Sequence, residues 1–206
     1  MTLTTLLYFL GASIALSLAP GPDNIFVVTQ GIARGRKAAI VTALGMCSGV
    51  SVHTTLAAFG ISALFYSSLV AFNIIKYAGA AYLLYLAYKT LRERSAIRLA
   101  KADNRPAASL FKRGFIMNVL NPKVAMFFLA FLPQFISPKT GHFALQMLLL
   151  GLIFMLQAIV IFCLIGYFSG SVGNMILTRP RIGTYLDFLT AGVFTSLGIR
   201  LALMER

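Results

Sequence analysis

The chain has 206 residues, 59% of them hydrophobic and only 11% charged, with a mean hydropathy of +0.85. That balance excludes an ordinary water-soluble domain. Lys and Arg number 18 against 5 acidic residues, but the cations fall in the short gaps between apolar runs. Membrane lipid is therefore the expected partner, and nucleic acid is not.

Spans of a bilayer need about 20 apolar residues each, and six segments of that length follow one another. The first covers about 5–30 and is broken by Ala19-Pro20-Gly21-Pro22-Asp23-Asn24. Two prolines delete two backbone donors, so the carbonyls of Leu16 and Leu18 are expected to be left free. Asp23 follows at once, and a carboxylate at mid-bilayer costs about 2.5 to 3.5 kcal/mol on insertion scales. Such a break is tolerated where it is buried in protein or lines a wet cavity, which makes it a candidate polar path. Ser17-Leu18-Ala19 imitates a signal-peptide cleavage triplet, but no basic region precedes it and Pro20 would follow the cut. The segment is expected to be retained.

The second segment, about 38–65, carries no Asp, Glu, Lys or Arg and holds His53 near its middle. A mid-membrane histidine relays protons, or donates one hydrogen bond to a neighbouring helix. Gly45 and Gly49, like Gly166 and Gly170, have the spacing that lets helices approach closely. Packing within the subunit is the expected use, with a homodimer contact as the alternative. The third segment, about 69–88, has Lys76 near its start, where its long stem can snorkel. A basic stretch, 89–113, then reads as a cytoplasmic linker.

The fourth segment, about 114–135, is interrupted by Asn121-Pro122-Lys123. Asn suits an N-cap and Pro the first helical position, so a half-helix is expected to start there. Its free N–H groups and the Lys123 ammonium would attract an anion. Asp23 and the freed carbonyls of the first segment offer the reverse. A zwitterion fits that pairing, and a plain Asp23–Lys123 ion pair is the structural alternative. Asn24 and Asn118 flank the two breaks, either capping backbone or touching ligand. The fifth segment, about 143–172, carries Gln157 near its middle. The sixth, about 182–203, has Asp187 near one end, where a salt bridge to Arg179 or Arg181 is the simpler account of it. Gln157 and Asp187 are the further pathway candidates, with Asp23 and His53 the candidates for proton coupling.

Arg34, Arg36 and Lys37, the cations of 89–113, and Arg179 and Arg181 fall on one side of this arrangement. Lys76, Lys139, Arg200 and Arg206 fall on the other. Positive-inside bias puts the richer set in the cytoplasm and both termini in the periplasm. The fold class is thus an all-α integral membrane protein forming a single domain over 1–206. Its six transmembrane helices form two inverted three-helix repeats, about 1–88 and 114–206, with helices 1 and 4 broken at their prolines. Interrupted helices at corresponding places in two halves point to a transporter's binding site.

Together, Ser17-Leu18-Ala19-Pro20-Gly21-Pro22, Gly31-Ile32-Ala33-Arg34-Gly35-Arg36, Asn121-Pro122-Lys123 and Pro133-Gln134-Phe135 make the chain resemble the LysE/RhtB family of amino-acid exporters. The resemblance covers nearly the whole chain. It implies a bacterial inner-membrane protein that exports amino acids, driven by the proton gradient as an antiporter working by alternating access. With Asp23 the only carboxylate near the presumed midplane, a neutral substrate is expected over a dibasic one.

The alternative is an inorganic-ion or metal transporter of similar layout, which would need clustered acids, cysteines or histidines. Cys47 and Cys163 both lie in apolar runs and suggest neither a disulfide nor a metal site. No Gly-x-Ser-x-Gly elbow, HExxH or nucleotide-binding motif is present, so no enzymatic activity, cofactor or metal is expected.

Overall fold

In the computed structural model, residues 2–19, 21–61, 69–92, 106–136, 141–171 and 180–203 are described. Nearly all of them are helical, and none of the described residues forms a strand. α1 (Leu3–Leu18) and α2 (Pro22–Arg34) are bent by 55° at the first break. α3 (Arg36–Leu56) runs on through a π-helical turn, Ala57–Ile61. α4 covers Leu69–Arg92. α5 (Ala107–Val119) and α6 (Pro122–Met126) flank the second break, and their spans meet at 47°. Past α6 the chain stays wound through a π-helical stretch, Phe127–Phe131, and a 3-10 turn, Leu132–Phe135. α7 (Phe143–Tyr167) and α8 (Pro180–Ala202) complete the order.

Two helices, Arg36–Gly60 and Phe143–Tyr167, are long and apolar enough by themselves to cross a membrane, and each bent pair is so when taken as one span. α4 and α8 have 24 and 23 residues, the length a bilayer requires. On α7 the outward stripe Leu145, Leu149, Leu152, Leu156, Val160 and Leu164 is exposed. An apolar stripe of that length is a face for lipid rather than water. The opposite face of α7, including Met147, Leu150, Phe154 and Ala158, is buried in the core.

The fourth span starts at Ala107, earlier than the Gly114 expected from hydropathy, because Pro106 and the helix-forming Ala107 and Ala108 begin the winding ahead of the apolar run. Lys112 and Arg113 therefore lie on a helix, not in a linker. α3 is the central element. It packs against α5, α7 and α2, while α1 packs on α7 and α4 on α8.

Close approach between α3 and α5 depends on glycine. A Cβ on Gly45 would run into the Phe111 carbonyl, one on Gly114 into the Thr42 carbonyl, and one on Gly49 would lie 2.9 Å from the Asn118 side chain. Gly166 sits 3.2 Å from Ala39 by the same measure, whereas Gly170 faces open space. Three of the four spaced glycines thus serve packing inside the subunit. Cation–π contacts mark the two ends of the bundle. Arg36 lies 4.4 Å from the ring centre of Tyr167 at one end, and Arg200 lies 5.4 Å from that of Tyr8 and 5.7 Å from that of Phe135 at the other. Lys76 does not snorkel outward: it is buried, with its ammonium 4.4 Å from the Tyr77 ring centre.

Candidate functional site

The two breaks meet. Gly21, in extended conformation, caps α2, and Pro22 occupies its first turn, with Asp23 next and buried to 3% exposure. Across from it Asn121 caps α6, and its Oδ1 accepts the Lys123 N–H at 2.9 Å. The amide of the same Asn121 donates to Asp23 Oδ2 at 2.5 Å. Lys123 is itself buried at 6% exposure, its ammonium 3.9 Å from Asp23 Oδ2. One asparagine thus caps one broken helix and holds the carboxylate of the other.

Of the two carbonyls expected to be freed, that of Leu16 is engaged, and Ser17 and Ala19 supply the others. Lys123 Nζ donates to the carbonyls of Leu16 and Ala19, each at 3.4 Å, and Asn24 Nδ2 donates to that of Ser17 at 2.9 Å. Ser17 and Ala19 replace Leu18 because α1 ends at Leu18 and the chain turns there, so its last-turn acceptors point into the break. The negative end of α1 and the Asp23 carboxylate together surround an ammonium, and the protein's own lysine supplies it. Gly21 makes room for this arrangement, since a Cβ there would lie 3.2 Å from Lys123 Nζ.

Side chains at mid-span brace each break from outside. His53 Nε2 lies 3.0 Å from the Asn118 carbonyl, the acceptor that Pro122 leaves without its helical donor. A carbonyl only accepts, so this contact requires the proton on Nε2. Gln157 Nε2 donates to Ser17 Oγ at 3.0 Å and lies 3.5 Å from the Ser13 carbonyl, bracing the end of α1 as His53 braces the end of α5.

Between these groups lies a cavity with about 20 Å³ open to water, room for a water or two and for nothing larger. Leu16, Ser17, Asp23, Asn118, Lys123 and Val124 line it from the broken spans. Met46, Cys47 and Val50 of α3, with Phe154, Ala158 and Phe162 of α7, close the other side. Asp23 Oδ1 and Asn118 Oδ1 are buried without a hydrogen-bond partner. Two buried acceptors left open suit a donor that arrives from elsewhere.

Of the residues singled out from sequence, Gly21, Asp23, Asn24, Asn118, Asn121 and Lys123 come together here. Pro22 and Pro122 start their helices but are exposed and do not line the cavity. Pro20 lies outside the described residues, as does Arg179. His53 and Gln157 stand behind the site rather than in it, and Asp187 is buried on α8 and does not line the cavity. Sequence reasoning missed Ser17 and the apolar wall. Met46, Cys47 and Val50, and Phe154, Ala158 and Phe162, do recur at helical spacing, but that signal is the same for any core face. Both cysteines are free. Among the described residues, no three of His, Cys, Asp and Glu gather as a metal site would require.

The family profile described as LysE type translocator matches residues 14–205. The chain belongs to that family. The LysE-type chain is 40% identical over 144 residues to the homoserine/homoserine lactone efflux protein of Salmonella typhimurium, covering 69% of each. It is 34% identical over 212 residues to the leucine efflux protein of Klebsiella pneumoniae, covering 98% of this chain and 96% of that one. An uncharacterized membrane protein of Vibrio cholerae is 32% identical over 200 residues, 95% of each. No solved structure matches this LysE-type translocator.

Proposed function

We propose that this protein is a secondary active exporter of amino acids in the bacterial inner membrane. It moves a neutral amino acid outward in exchange for protons, by alternating access. The observation that carries the reading is the buried Asp23–Lys123 pair, drawn from two interrupted spans and facing a small cavity whose other wall is apolar. A buried pair costs desolvation and is weak evidence for stability, so a functional use accounts for it better than packing does.

In the mechanism, the substrate ammonium displaces Lys123 from Asp23 and from the carbonyls of Leu16 and Ala19. The released lysine swings on its flexible stem to meet the substrate carboxylate. Asn118 and Asn24 offer their open side-chain oxygens, and Asn121 keeps the two breaks in register. Pro22 and Pro122 start the helices that follow the two breaks. Asp23 takes the coupling proton on the return step. His53, whose Nε2 proton is committed to the Asn118 carbonyl, and Gln157 hold the broken spans against the intact ones.

Six crossings in two inverted repeats suit this cycle. Exchanging spans one to three with four to six turns the α3–α5 contact into the α7–α1 contact and leaves the α3–α7 and α4–α8 contacts as they are. The charge distribution favours a cytoplasmic linker and periplasmic termini. Relatives named for leucine efflux and for homoserine/homoserine lactone efflux support a neutral amino acid as substrate.

The test is efflux from cells loaded with dipeptides, with and without the protein, scoring each amino acid that appears outside. Faster export of one or more neutral amino acids supports the reading. A change in metal tolerance alone, with amino-acid efflux unchanged, overturns it.

A further inference from the structure

We infer that the wall between α3 and α7 is the subsite for the substrate's side chain, and that it selects aliphatic side chains over hydroxylated ones. The inference rests on the exporter reading above and adds the side-chain class and the residues that set it. The cavity is divided by chemistry. Its charged and hydrogen-bonding groups all come from the broken spans, whereas α3 contributes Met46, Cys47 and Val50, and α7 contributes Phe154, Ala158 and Phe162. An α-amino acid whose ammonium and carboxylate engage Asp23 and Lys123 points its side chain at that second wall.

The wall offers no oxygen or nitrogen atom from its side chains. A hydroxyl carried there gives up its water and gains no partner, while a methyl group gains contact. Ala158 makes the recess. It lies one turn from Phe154 and one turn from Phe162 on the same face of α7, and all three are buried. A small residue between two rings leaves a notch whose depth depends on that residue. Cys47, 2% exposed on α3, lines the same cavity. With room for water only, the subsite must widen when the Asp23–Lys123 pair opens.

The test uses the full chain purified into proteoliposomes. Norvaline and homoserine differ by a methyl in place of a hydroxyl, as do valine and threonine. Norvaline should be preferred to homoserine by about 10- to 100-fold in kcat/KM, the range that an apolar pocket achieves. Ala158→Leu should lower the norvaline-to-alanine ratio by tenfold or more, because alanine ends short of the notch. As a second measurement, the unaltered chain should prefer valine to threonine by a similar factor. Homoserine carried as well as norvaline, or a norvaline-to-alanine ratio unmoved in a folded Ala158→Leu variant, overturns the subsite and leaves the exporter reading standing. Should Ala158→Leu fail to fold, threonine carried as well as valine by the unaltered chain overturns it instead. Absence of transport for every amino acid overturns the exporter reading and this inference with it.

Discussion

Asn121 reaches across 98 positions of the chain to donate a hydrogen bond to the carboxylate of Asp23. The same side chain caps α6 through the Lys123 N–H, so one residue fixes both the carboxylate and the backbone that carries the lysine. Asn121→Ala should therefore do more than remove a cap, which alone costs about 1 kcal/mol. It also strips a buried carboxylate of its donor, at a further cost of about 1 to 3 kcal/mol. Thermal unfolding in detergent should register the sum, and efflux should fall at least as steeply.

Asp23→Asn should abolish efflux while the protein still inserts and accumulates. Lys123→Met leaves Asp23 buried without its cation, a loss of about 3 to 5 kcal/mol in comparable pairs. The double variant should be more stable than Lys123→Met alone, because the orphaned charge is gone. Equal additive losses in this cycle, measured by unfolding, would show that the two side chains do not act as a pair.

His53→Gln should keep substantial efflux if the long amide still reaches the Asn118 carbonyl. His53→Ala should lower efflux together with stability, chiefly because a buried side chain becomes a void, while the Asn118 carbonyl keeps the Asn121 N–H at 2.9 Å. Full loss in the Gln variant at wild-type stability would make the imidazole a proton carrier.

The glycines give a graded series. Gly45→Ala and Gly114→Ala force a methyl onto backbone carbonyls and should cost about 1 to 3 kcal/mol or more, with lower protein abundance. Gly170→Ala meets nothing within 4 Å and should be neutral or slightly stabilising. Abundance and melting temperature of the three variants, measured side by side, check the order.

Labelling of single cysteines placed near each terminus, by a reagent that does not cross the membrane, should succeed from the periplasmic side for both ends. Labelling only after the cells are opened would reverse the orientation argued from Arg34, Arg36 and Lys37.

Much of this was legible beforehand because hydrocarbon punishes irregular backbone. Two prolines beside an aspartate, and an Asn-Pro-Lys in the matching place, stand out from apolar surroundings on chemistry alone. Asn121 as a cap followed from its position before Pro122, and the structure keeps it there. Its second bond, to Asp23, did not follow, because it depends on how two helices cross. Of the carbonyls that hold Lys123, Leu16 was expected and Ala19 was missed, for a related reason. Deleted donors can be counted from prolines, but the direction of the orphaned acceptors is set by where α1 stops. The apolar wall was invisible since Phe154, Ala158 and Phe162 differ in no local respect from residues that merely fill space.

The mutual cancellation of Asp23 and Lys123 also has an electrical meaning. Each elementary charge carried through a membrane potential of 100 mV is worth about 2.3 kcal/mol, enough to bias any step that transports one. With a cation and an anion locked side by side, the unloaded site carries no net charge through the field, and a zwitterion added to it changes nothing in that sum. In the proposed cycle voltage would then act only through the exchanged proton, and swapping either partner for an uncharged residue would make the empty carrier's turnover respond to membrane polarisation.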